Sequence, residues 1–315
     1  MTASSNLDKL EPLPWLRAVM DIVLCIGSLF LINGLFEWMG VYRRGFFCDD
    51  ETIMYPMKPE TIGLGGLLVI SFVPQLVVIT ITESIRLYRF PTEELSSVER
   101  GRAKPIRLVS RVLKFYGYSL LIIVVCSFLT AVTKNAVGRL RPNFLDVCQP
   151  TFDWRHNCTT HEYLTDYECT ADRSKWAMKD ARLSFFSGHS SMSMSAAMFI
   201  VVYLQSRAAG ECWLNTLIPI LQSISFCGAI YVGLTRIFDH KHHWSDVLTG
   251  LIVGMTIVIL VWKFVAGYDI APLKQRRRKC VVNIDDVELQ KPSAIQTNST
   301  EYTNKSFQSD LTQRL

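Results

Sequence analysis

Six stretches of the chain are apolar for long enough to cross a lipid bilayer. They fall at residues 16–38, 61–83, 115–136, 190–206, 213–235 and 246–267. A helix needs about 20 apolar residues to cross about 30 Å of hydrocarbon, and lipid offers an open backbone no hydrogen-bond partner. The predicted fold is therefore all-α: a six-span transmembrane helical bundle at residues 16–270. It is flanked by an N-terminal tail, residues 1–15, and a polar, disordered tail, residues 271–315.

Basic residues predict how these spans are oriented. They concentrate beside the apolar stretches in two segments, residues 86–114 and residues 274–279. Six spans place both segments on one side of the membrane, and an excess of Lys and Arg in such segments marks the cytoplasmic side. Both tails are therefore predicted to be cytoplasmic. The loops at residues 39–60, 137–189 and 236–245 then face the cell exterior or the lumen of an organelle.

Three features of these loops agree with that orientation. Asn157 begins a sequon for N-glycosylation in the longest of them. Four cysteines lie where disulfides persist, and their pairing stays open: Cys48, Cys148, Cys158 and Cys169. All histidines of the chain also fall there: His156, His161, His189, His240, His242 and His243. Candidate catalytic residues are therefore expected at this face of the membrane.

Composition narrows the class of function. The formal net charge of +5 on 315 residues is modest and gives no indication of a nucleic-acid partner. A channel or transporter would carry charged or broken helices deep in the bundle. Asp21 and Pro74 are the only hints of that in the sequence, and an interfacial acid and a tolerated kink explain them.

The first candidate stretch lies at the outer end of the third span. Lys134 and Arg141 stand seven residues apart, so a helix puts them on one face, and Pro142 then ends the regular helix. Two cations on one face suit an anionic ligand. The alternative is that both side chains extend to the membrane interface without a ligand.

The second candidate stretch runs from Ser184 to Ser191, just before the fourth span. Gly188 permits close approach of a ligand to the backbone, and Ser187 with nearby amides at a helix N-terminus forms an anion site. His189 is placed to donate a proton there. The alternative is a serine cluster that caps the helix, with an incidental histidine.

The third candidate stretch lies between spans five and six. It supplies a cation, Arg236, and a pair four residues apart, His242 and Asp246, which are neighbours on a helix face. A carboxylate there holds the imidazole in one tautomer and stabilises its charged form, as a histidine nucleophile requires. The alternatives are a solvated polar turn and a zinc site built from His240, His242 and His243. The zinc site is disfavoured because Arg236 and Asp246 stand beside the histidines.

The predicted topology places the three stretches at one membrane surface, although they are far apart in sequence. Together they supply three cations, a glycine-opened anion site and two histidines, one with an aspartate partner. That set suits phosphoryl transfer, in which catalysis is mostly positioning and charge stabilisation.

In order and spacing, the three stretches resemble the motifs of the type 2 phosphatidic acid phosphatase family, K-x6-RP, PSGH and SR-x5-H-x3-D. Further segments are similar to the lipid phosphate phosphatase branch of that family: residues 44–48, 55–56, 138–142 and 241–246. Two positions depart from the pattern, with Phe186 in place of the motif's proline and Thr235 in place of its serine. Threonine keeps the hydroxyl, and position 186 contributes backbone shape rather than chemistry.

The resemblance implies a role for each matching residue. His242 attacks phosphorus and becomes phospho-histidine, with Asp246 orienting it. His189 protonates the departing lipid alkoxide and then helps to activate water. The remaining residues hold the phosphoryl oxygens: Lys134, Arg141, Arg236, Ser187 and the amide of Gly188. No metal or other cofactor is implied, since the cations supply the positive charge.

The resemblance also implies a substrate class and a location. The expected substrates are phosphatidate, lysophosphatidate, sphingosine 1-phosphate and ceramide 1-phosphate. They would be hydrolysed at the extracellular face of a multi-pass plasma-membrane protein, or at the lumenal face of the endoplasmic reticulum or Golgi. The bilayer is an expected partner, nucleic acid is not, and homo-oligomerisation is left open. A non-catalytic relative would lack some catalytic residues, whereas every titrating group of the motifs is present here.

Overall fold

Helices make up most of the computed structural model, which describes residues 40–89, 97–151, 161–208 and 216–267 together with parts of 20–35. The helices are labelled here in chain order: α1 Leu64–Arg89, α2 Ser97–Val137, α3 Phe144–Cys148, α4 Lys175–Asp180, α5 Gly188–Arg207, α6 Leu217–Phe238 and α7 Trp244–Leu260. A π-helical turn, Val261–Val265, continues α7. The loops before α1 and between α3 and α4 add a 3-10 turn, Glu51–Ile53, and two short strands, β1 Phe46–Phe47 and β2 Tyr163–Leu164.

Four helices in the described part are long and apolar enough to cross a membrane: Leu64–Tyr88, Pro105–Val137, Leu217–Phe238 and Trp244–Val265. They overlap the second, third, fifth and sixth predicted spans. Apolar side chains on them are exposed, Val69 at 60% and Ile224 at 63%, as expected where lipid surrounds the protein. The first predicted span, residues 16–38, is described only in part, and a shorter apolar helix, Val23–Ile32, lies within it. These helices establish a multi-pass membrane protein, while the six-span count and the orientation stay predictions.

The fourth predicted span, 190–206, corresponds to α5, which is a central helix of the bundle. It packs against α1, α2, α6 and α7. Its first half is rich in serine, and Ser190, Ser193 and Ser195 are buried. The Ser195 hydroxyl donates to the Met192 carbonyl at 2.9 Å, so the helix backbone accepts from the side chain. A small polar helix of this kind is stable in the bundle because protein rather than lipid surrounds it.

Two glycines of α7 bring it close to α5. A Cβ atom at Gly250 would lie 2.6 Å from the carbonyl oxygen of Ser187, and one at Gly254 would overlap the carbonyl of Ser191. Small residues four apart allow two helix backbones to approach in this way. The start of α5 and the start of α7 are thereby fixed against each other, and each carries one of the candidate histidine stretches.

A small disulfide-linked cap lies at the end of the bundle where α2 ends. Strands β1 and β2 pair antiparallel, with Phe46 opposite Leu164. This sheet is a departure from the predicted all-α fold. A disulfide joins Cys148 to Cys169, and Cys48 is disulfide-bonded as well. Asn157 and Cys158 lie outside the described residues, so the glycosylation prediction is not addressed by the structure.

Candidate active site

The three candidate stretches meet at one end of the helical bundle. Lys134 lies in the last turn of α2 and Arg236 in the last turn of α6. His189 lies in the first turn of α5 and Asp246 in the first turn of α7. Backbone hydrogen bonds join the segments directly, since the Ser187 amide donates to the Asp246 carbonyl at 3.1 Å. Four helix termini thus converge on a single site.

Asp246 is buried at the centre of this site and contacts several of its residues. Its side chain has no exposed surface and accepts hydrogen bonds from the Ser184 hydroxyl at 2.6 Å and from the His243 amide at 3.0 Å. Arg139 forms an ion pair with its other carboxylate oxygen at 2.5 Å. Charge-assisted contacts of this kind hold a carboxylate in its ionised form. Arg139 and Ser184 were not among the predicted site residues.

His242 lies beside this carboxylate without bonding to it. Its Nδ1 atom is 3.8 Å from Asp246 Oδ2, while His243 Nδ1 is nearer, at 3.2 Å. The His242 Nδ1 atom is buried and has no hydrogen-bond partner. Burial holds the pKa of His242 well below its usual 6.5, and the charges of Arg141 and Lys134 act in the same direction. The imidazole is therefore neutral at neutral pH, which is the nucleophilic form.

His189 has one engaged and one free ring nitrogen. Its ring forms a hydrogen bond with the backbone of Ile62, and its Nε2 atom is buried without a partner. The residue precedes the predicted span 190–206. Burial, together with the charges of Arg236 and Lys134, lowers the pKa of His189 to about 3. A ligand that brings negative charge to this site would reverse that effect and favour the protonated, proton-donating form.

The predicted phosphate-binding cations differ in how they are paired. Arg141 Nη2 forms an ion pair with Asp180 at 2.5 Å, and Arg236 Nη2 pairs with Asp239 at 2.8 Å. The side-chain ammonium of Lys134 makes no hydrogen bond or ion pair with any residue that the structure describes. Each arginine is held in place by a carboxylate and keeps further N–H donors, and Lys134 keeps its whole ammonium group for a ligand.

Ser187 and Gly188 occupy the N-terminus of α5. Ser187 is the N-cap, and its hydroxyl oxygen accepts from the Ser190 amide at 3.4 Å and from the Ser190 hydroxyl at 2.9 Å. The serine cluster therefore caps the helix, as the alternative interpretation of this stretch predicted. A Cβ atom at Gly188 would lie 3.3 Å from Thr130 Cγ2, so close packing explains the glycine. The assignment of both residues to the phosphate stays a prediction.

The three neighbouring histidines do not converge. His240 Nδ1 lies 2.9 Å from the carbonyl oxygen of Pro56, whereas His243 faces Asp246. Within the described ranges, no group of three or more His, Cys, Asp or Glu side chains is arranged to hold a metal ion. His240 is thereby held apart from His242 and His243, which both lie near Asp246 Oδ2.

The arrangement suits attack on a phosphoryl group. Two neutral imidazoles with unpaired buried nitrogens lie among Lys134, Arg141 and Arg236, which act electrostatically on His189. Buried side-chain polar atoms without partners are rare, and of the eight in the described part of the chain three are nitrogens of His189, His242 and Arg141. A tetrahedral anion would supply acceptors for the guanidinium and ammonium donors and place its central atom near a nucleophile.

Comparison with known proteins agrees with this chemistry. Residues 115–268 match the family model described as the PAP2 superfamily. The chain is 37% identical over 272 residues to phospholipid phosphatase 1 of Mus musculus, an alignment that covers 85% of this chain and 90% of the relative. It is 36% identical over 257 residues to phospholipid phosphatase 2 of Homo sapiens, with 81% and 84% covered. No solved structure matches the chain.

The matched family region contains all three candidate stretches, and the alignment with the relatives extends over most of both chains. The chain therefore belongs to the PAP2 superfamily and, within it, to the lipid phosphate phosphatases, hydrolases that act on lipid phosphomonoesters.

Proposed function

We propose that the protein hydrolyses lipid phosphomonoesters to the dephosphorylated lipid and inorganic phosphate through a phospho-histidine intermediate. The observation that carries the proposal is the pair of neutral, buried and unsatisfied imidazoles, His189 and His242, at one site with Lys134, Arg141 and Arg236. Membership of the lipid phosphate phosphatases supports the substrate class.

In the first step, His242 attacks phosphorus and the bond from phosphorus to the lipid oxygen breaks. Asp246 lies on the Nδ1 side of His242, which leaves Nε2 as the attacking nitrogen. The phosphate dianion raises the pKa of His189, and the protonated ring gives its proton to the departing alkoxide. Lys134, Arg141 and Arg236 hold the three phosphoryl oxygens, with Ser187 and the Gly188 amide assisting.

In the second step, neutral His189 removes a proton from water, and the resulting hydroxide attacks the phospho-histidine. The bond from phosphorus to nitrogen breaks, which releases phosphate and returns His242 to its neutral form. The departing phosphate takes the proton from His189, which returns to its neutral resting form and is protonated again when the next phosphomonoester binds. Asp246 stabilises the positive charge that develops on His242 in both steps. No metal and no other cofactor takes part.

The proposed substrates are phosphatidate, lysophosphatidate, sphingosine 1-phosphate and ceramide 1-phosphate. Each presents a phosphomonoester at the membrane surface, where the helix ends carry the site. In the proposed six-span topology with cytoplasmic tails, that surface is extracellular at the plasma membrane and lumenal in the endoplasmic reticulum or Golgi. The basic segments at residues 86–114 and 274–279 support this orientation.

Phosphate release from the four lipids is the direct test of the proposal. Intact cells that express the wild type should release phosphate from added lipid, and cells that express His242→Ala should not. Activity of the purified enzyme should persist in excess chelator and be inhibited by vanadate, which mimics the five-coordinate transition state. Loss of activity in chelator with recovery on adding zinc or magnesium would contradict the mechanism.

The orientation has a test of its own. In the proposed topology Asn157 carries a glycan and the tail sequons at Asn298 and Asn304 do not. Glycosidase treatment should therefore shift the gel mobility of the wild type and leave Asn157→Gln unchanged. A glycan on Asn298 or Asn304 would place the site on the cytoplasmic side instead.

A further inference from the structure

A segment outside the three motifs lies across the candidate site. This strap, Tyr55–Ile62, connects the outer cap to α1. Its Tyr55 amide donates to the Pro142 carbonyl at 2.9 Å, and its Met57 amide donates to Asp146 Oδ2 at 2.9 Å. Its last residue, Ile62, forms the backbone hydrogen bond to His189. The strap is thus fixed over the residues assigned to catalysis.

Arg236 contacts two carboxylates that differ in how firmly they are held. Asp239 is buried, pairs with Arg236 at 2.8 Å, and accepts from the amide of Thr61 at 2.8 Å and its hydroxyl at 2.7 Å. Glu60 immediately precedes Thr61 in the strap. Its carboxylate lies 3.8 Å from Arg236 Nη1 and 3.8 Å from Lys241 Nζ. Asp239 therefore anchors the backbone that carries Glu60.

Glu60 itself is only loosely held. Its side chain is 36% exposed, and it accepts no hydrogen bond from any residue in the described part of the chain. It also acts electrostatically on Lys134, so it faces three cations of the site at once. A carboxylate that is exposed, anchored through its backbone and paired only at long range is readily displaced by a stronger anion.

The charges around the site favour such a displacement. Arg139, Arg141 and Arg236 are each paired with a buried or half-buried aspartate. Lys241 pairs with Glu60 at 3.8 Å, and Glu60 also acts electrostatically on Lys134, whereas Asp180, which acts on both lysines too, is already paired with Arg141. If a phosphate dianion replaces the single charge of Glu60, both lysines are neutralised.

We propose that Glu60 is the resting counterion of the phosphate site, that substrate phosphate displaces it from Arg236 and Lys241, and that it thereby limits how tightly phosphate binds. The proposal rests on the phosphatase function above. Competition from Glu60 weakens binding of the phosphoryl group in the substrate and also favours release of the product phosphate. Lys241, at a variable position of the third motif, becomes a fourth contact for the phosphoryl oxygens once Glu60 has moved.

Inhibition by two soluble anions tests the proposal. Inorganic phosphate and orthovanadate would be titrated against purified wild type, Glu60→Gln and Glu60→Asp in detergent. Glu60→Gln removes the charge at constant shape and should lower both inhibition constants by about 2- to 5-fold, the range expected for an exposed ion pair. Glu60→Asp keeps the charge and should stay near the wild type. Glu51→Gln, an exposed acid of the 3-10 turn, is the matched control and should change neither constant.

Binding can also be measured without turnover. Thermal stabilisation by inorganic phosphate should begin at lower concentration in Glu60→Gln than in the wild type. This readout survives even if the wild type hydrolyses none of the four lipids, a result that would defeat the proposed function and leave the role of Glu60 open to test. Unchanged or weaker phosphate binding in Glu60→Gln would overturn the proposal, as would an equal effect of Glu60→Asp.

Discussion

Two charged clusters lie at opposite ends of the same helices and are built differently. At the end remote from the site, Glu83 of α1 is fully buried and accepts from Arg207 Nε at 2.9 Å and Nη2 at 3.1 Å. Tyr203 donates to it at 3.1 Å, and Arg111 lies 3.5 Å away. At the site, by contrast, a nitrogen on each of His189, His242 and Arg141 is buried without a partner.

The contrast indicates that the Glu83 cluster stabilises the fold, whereas the cluster at the site serves the reaction. Glu83 stands 19 residues after the start of α1, about 28 Å along the helix axis and hence near the other membrane surface. Its contacts tie α1, α2 and α5 together, and its acceptor capacity is filled from within the protein. The cluster at the site leaves donors and a nucleophile unfilled because a ligand is to complete it.

Removal of the nucleophile should give the largest effect on the site cluster. His242→Ala should lower phosphate release by about 10⁴-fold or more and form no covalent phospho-enzyme. Its melting temperature should fall by the cost of the cavity that the buried ring leaves, with no added cost for a lost hydrogen bond at Nδ1. Rapid-quench labelling with radioactive phosphate measures the intermediate. His161→Ala, an exposed histidine paired with Asp49, is the control, and label on His242→Ala would exclude His242 as the nucleophile.

Removal of the proton donor should give a smaller loss that depends on the leaving group. His189→Ala should lower lipid hydrolysis by about 10²- to 10⁴-fold, since a lipid alkoxide leaves poorly without a proton. A nitrophenolate leaves without one, so phospho-enzyme formation from nitrophenyl phosphate should be spared. Single-turnover rates with the two substrates measure the difference. An equal loss on both would assign His189 to phosphate binding.

Glu83→Gln should act on stability and spare the chemistry. Loss of one partner leaves Arg207 buried without its counter-charge, which costs about 3–5 kcal/mol in other buried pairs. The melting temperature in detergent should fall, while kcat per folded molecule stays near the wild type. The double variant Glu83→Gln with Arg207→Met should recover part of the stability. A selective loss of kcat in folded Glu83→Gln would contradict the division between the two clusters.

Arg139 is a positioning residue at the boundary between these two roles. It pairs with Asp246 and donates to the Ser245 hydroxyl at 2.8 Å. Arg139→Met should lower kcat by about 10-fold to 100-fold, the equivalent of one poorly satisfied buried carboxylate, with little change in KM. Arg139→Lys should recover part of kcat, which a purely structural role would not predict. A rise in KM with kcat unchanged would show that Arg139 contacts the substrate instead.

The position of the site was predictable because the number of apolar stretches between two loops determines whether those loops lie on the same side of the membrane. Apolar stretches long enough to cross a membrane place Lys134, His189 and His242 at one end of the bundle, and the structure brings these residues together there. Arg139 was missed although it lies between two predicted residues, since its partner Asp246 is more than one hundred residues away in sequence. No local pattern identifies such a partner.

The hydropathy pattern also placed the start of one helix wrongly and missed two short strands. The third predicted span begins at residue 115, whereas α2 begins at Ser97, because the first turns of α2 are polar and hydropathy marks only the apolar part of a helix. The strands at Phe46–Phe47 and Tyr163–Leu164 are two residues long, too short to show alternation. Glu83 and Arg207 stand at the ends of predicted spans, where charged residues are expected, so their pairing carried no signal.

The smallest predicted effect is a pH dependence of stability that belongs to the site cluster alone. Arg141 and Lys134 face His242 from neighbouring segments, and burial places its folded pKa well below the unfolded value of 6.5. Below pH 6.5, His242 is therefore protonated in the unfolded chain but stays neutral in the folded protein. Stability is present above that pH and is lost as the pH falls, by up to about 1.4 kcal/mol per pH unit.

His242→Gln lacks this titration, so its melting temperature should fall less steeply than that of the wild type between pH 7 and pH 5.5. The slope contributed by His189 is common to both proteins and cancels in the comparison. Added phosphate should flatten the slope of the wild type, because a dianion beside the imidazole raises its pKa toward the unfolded value. Parallel slopes for the two proteins would mean that His242 is protonated in the resting site, and it would then have to lose that proton before it attacked phosphorus.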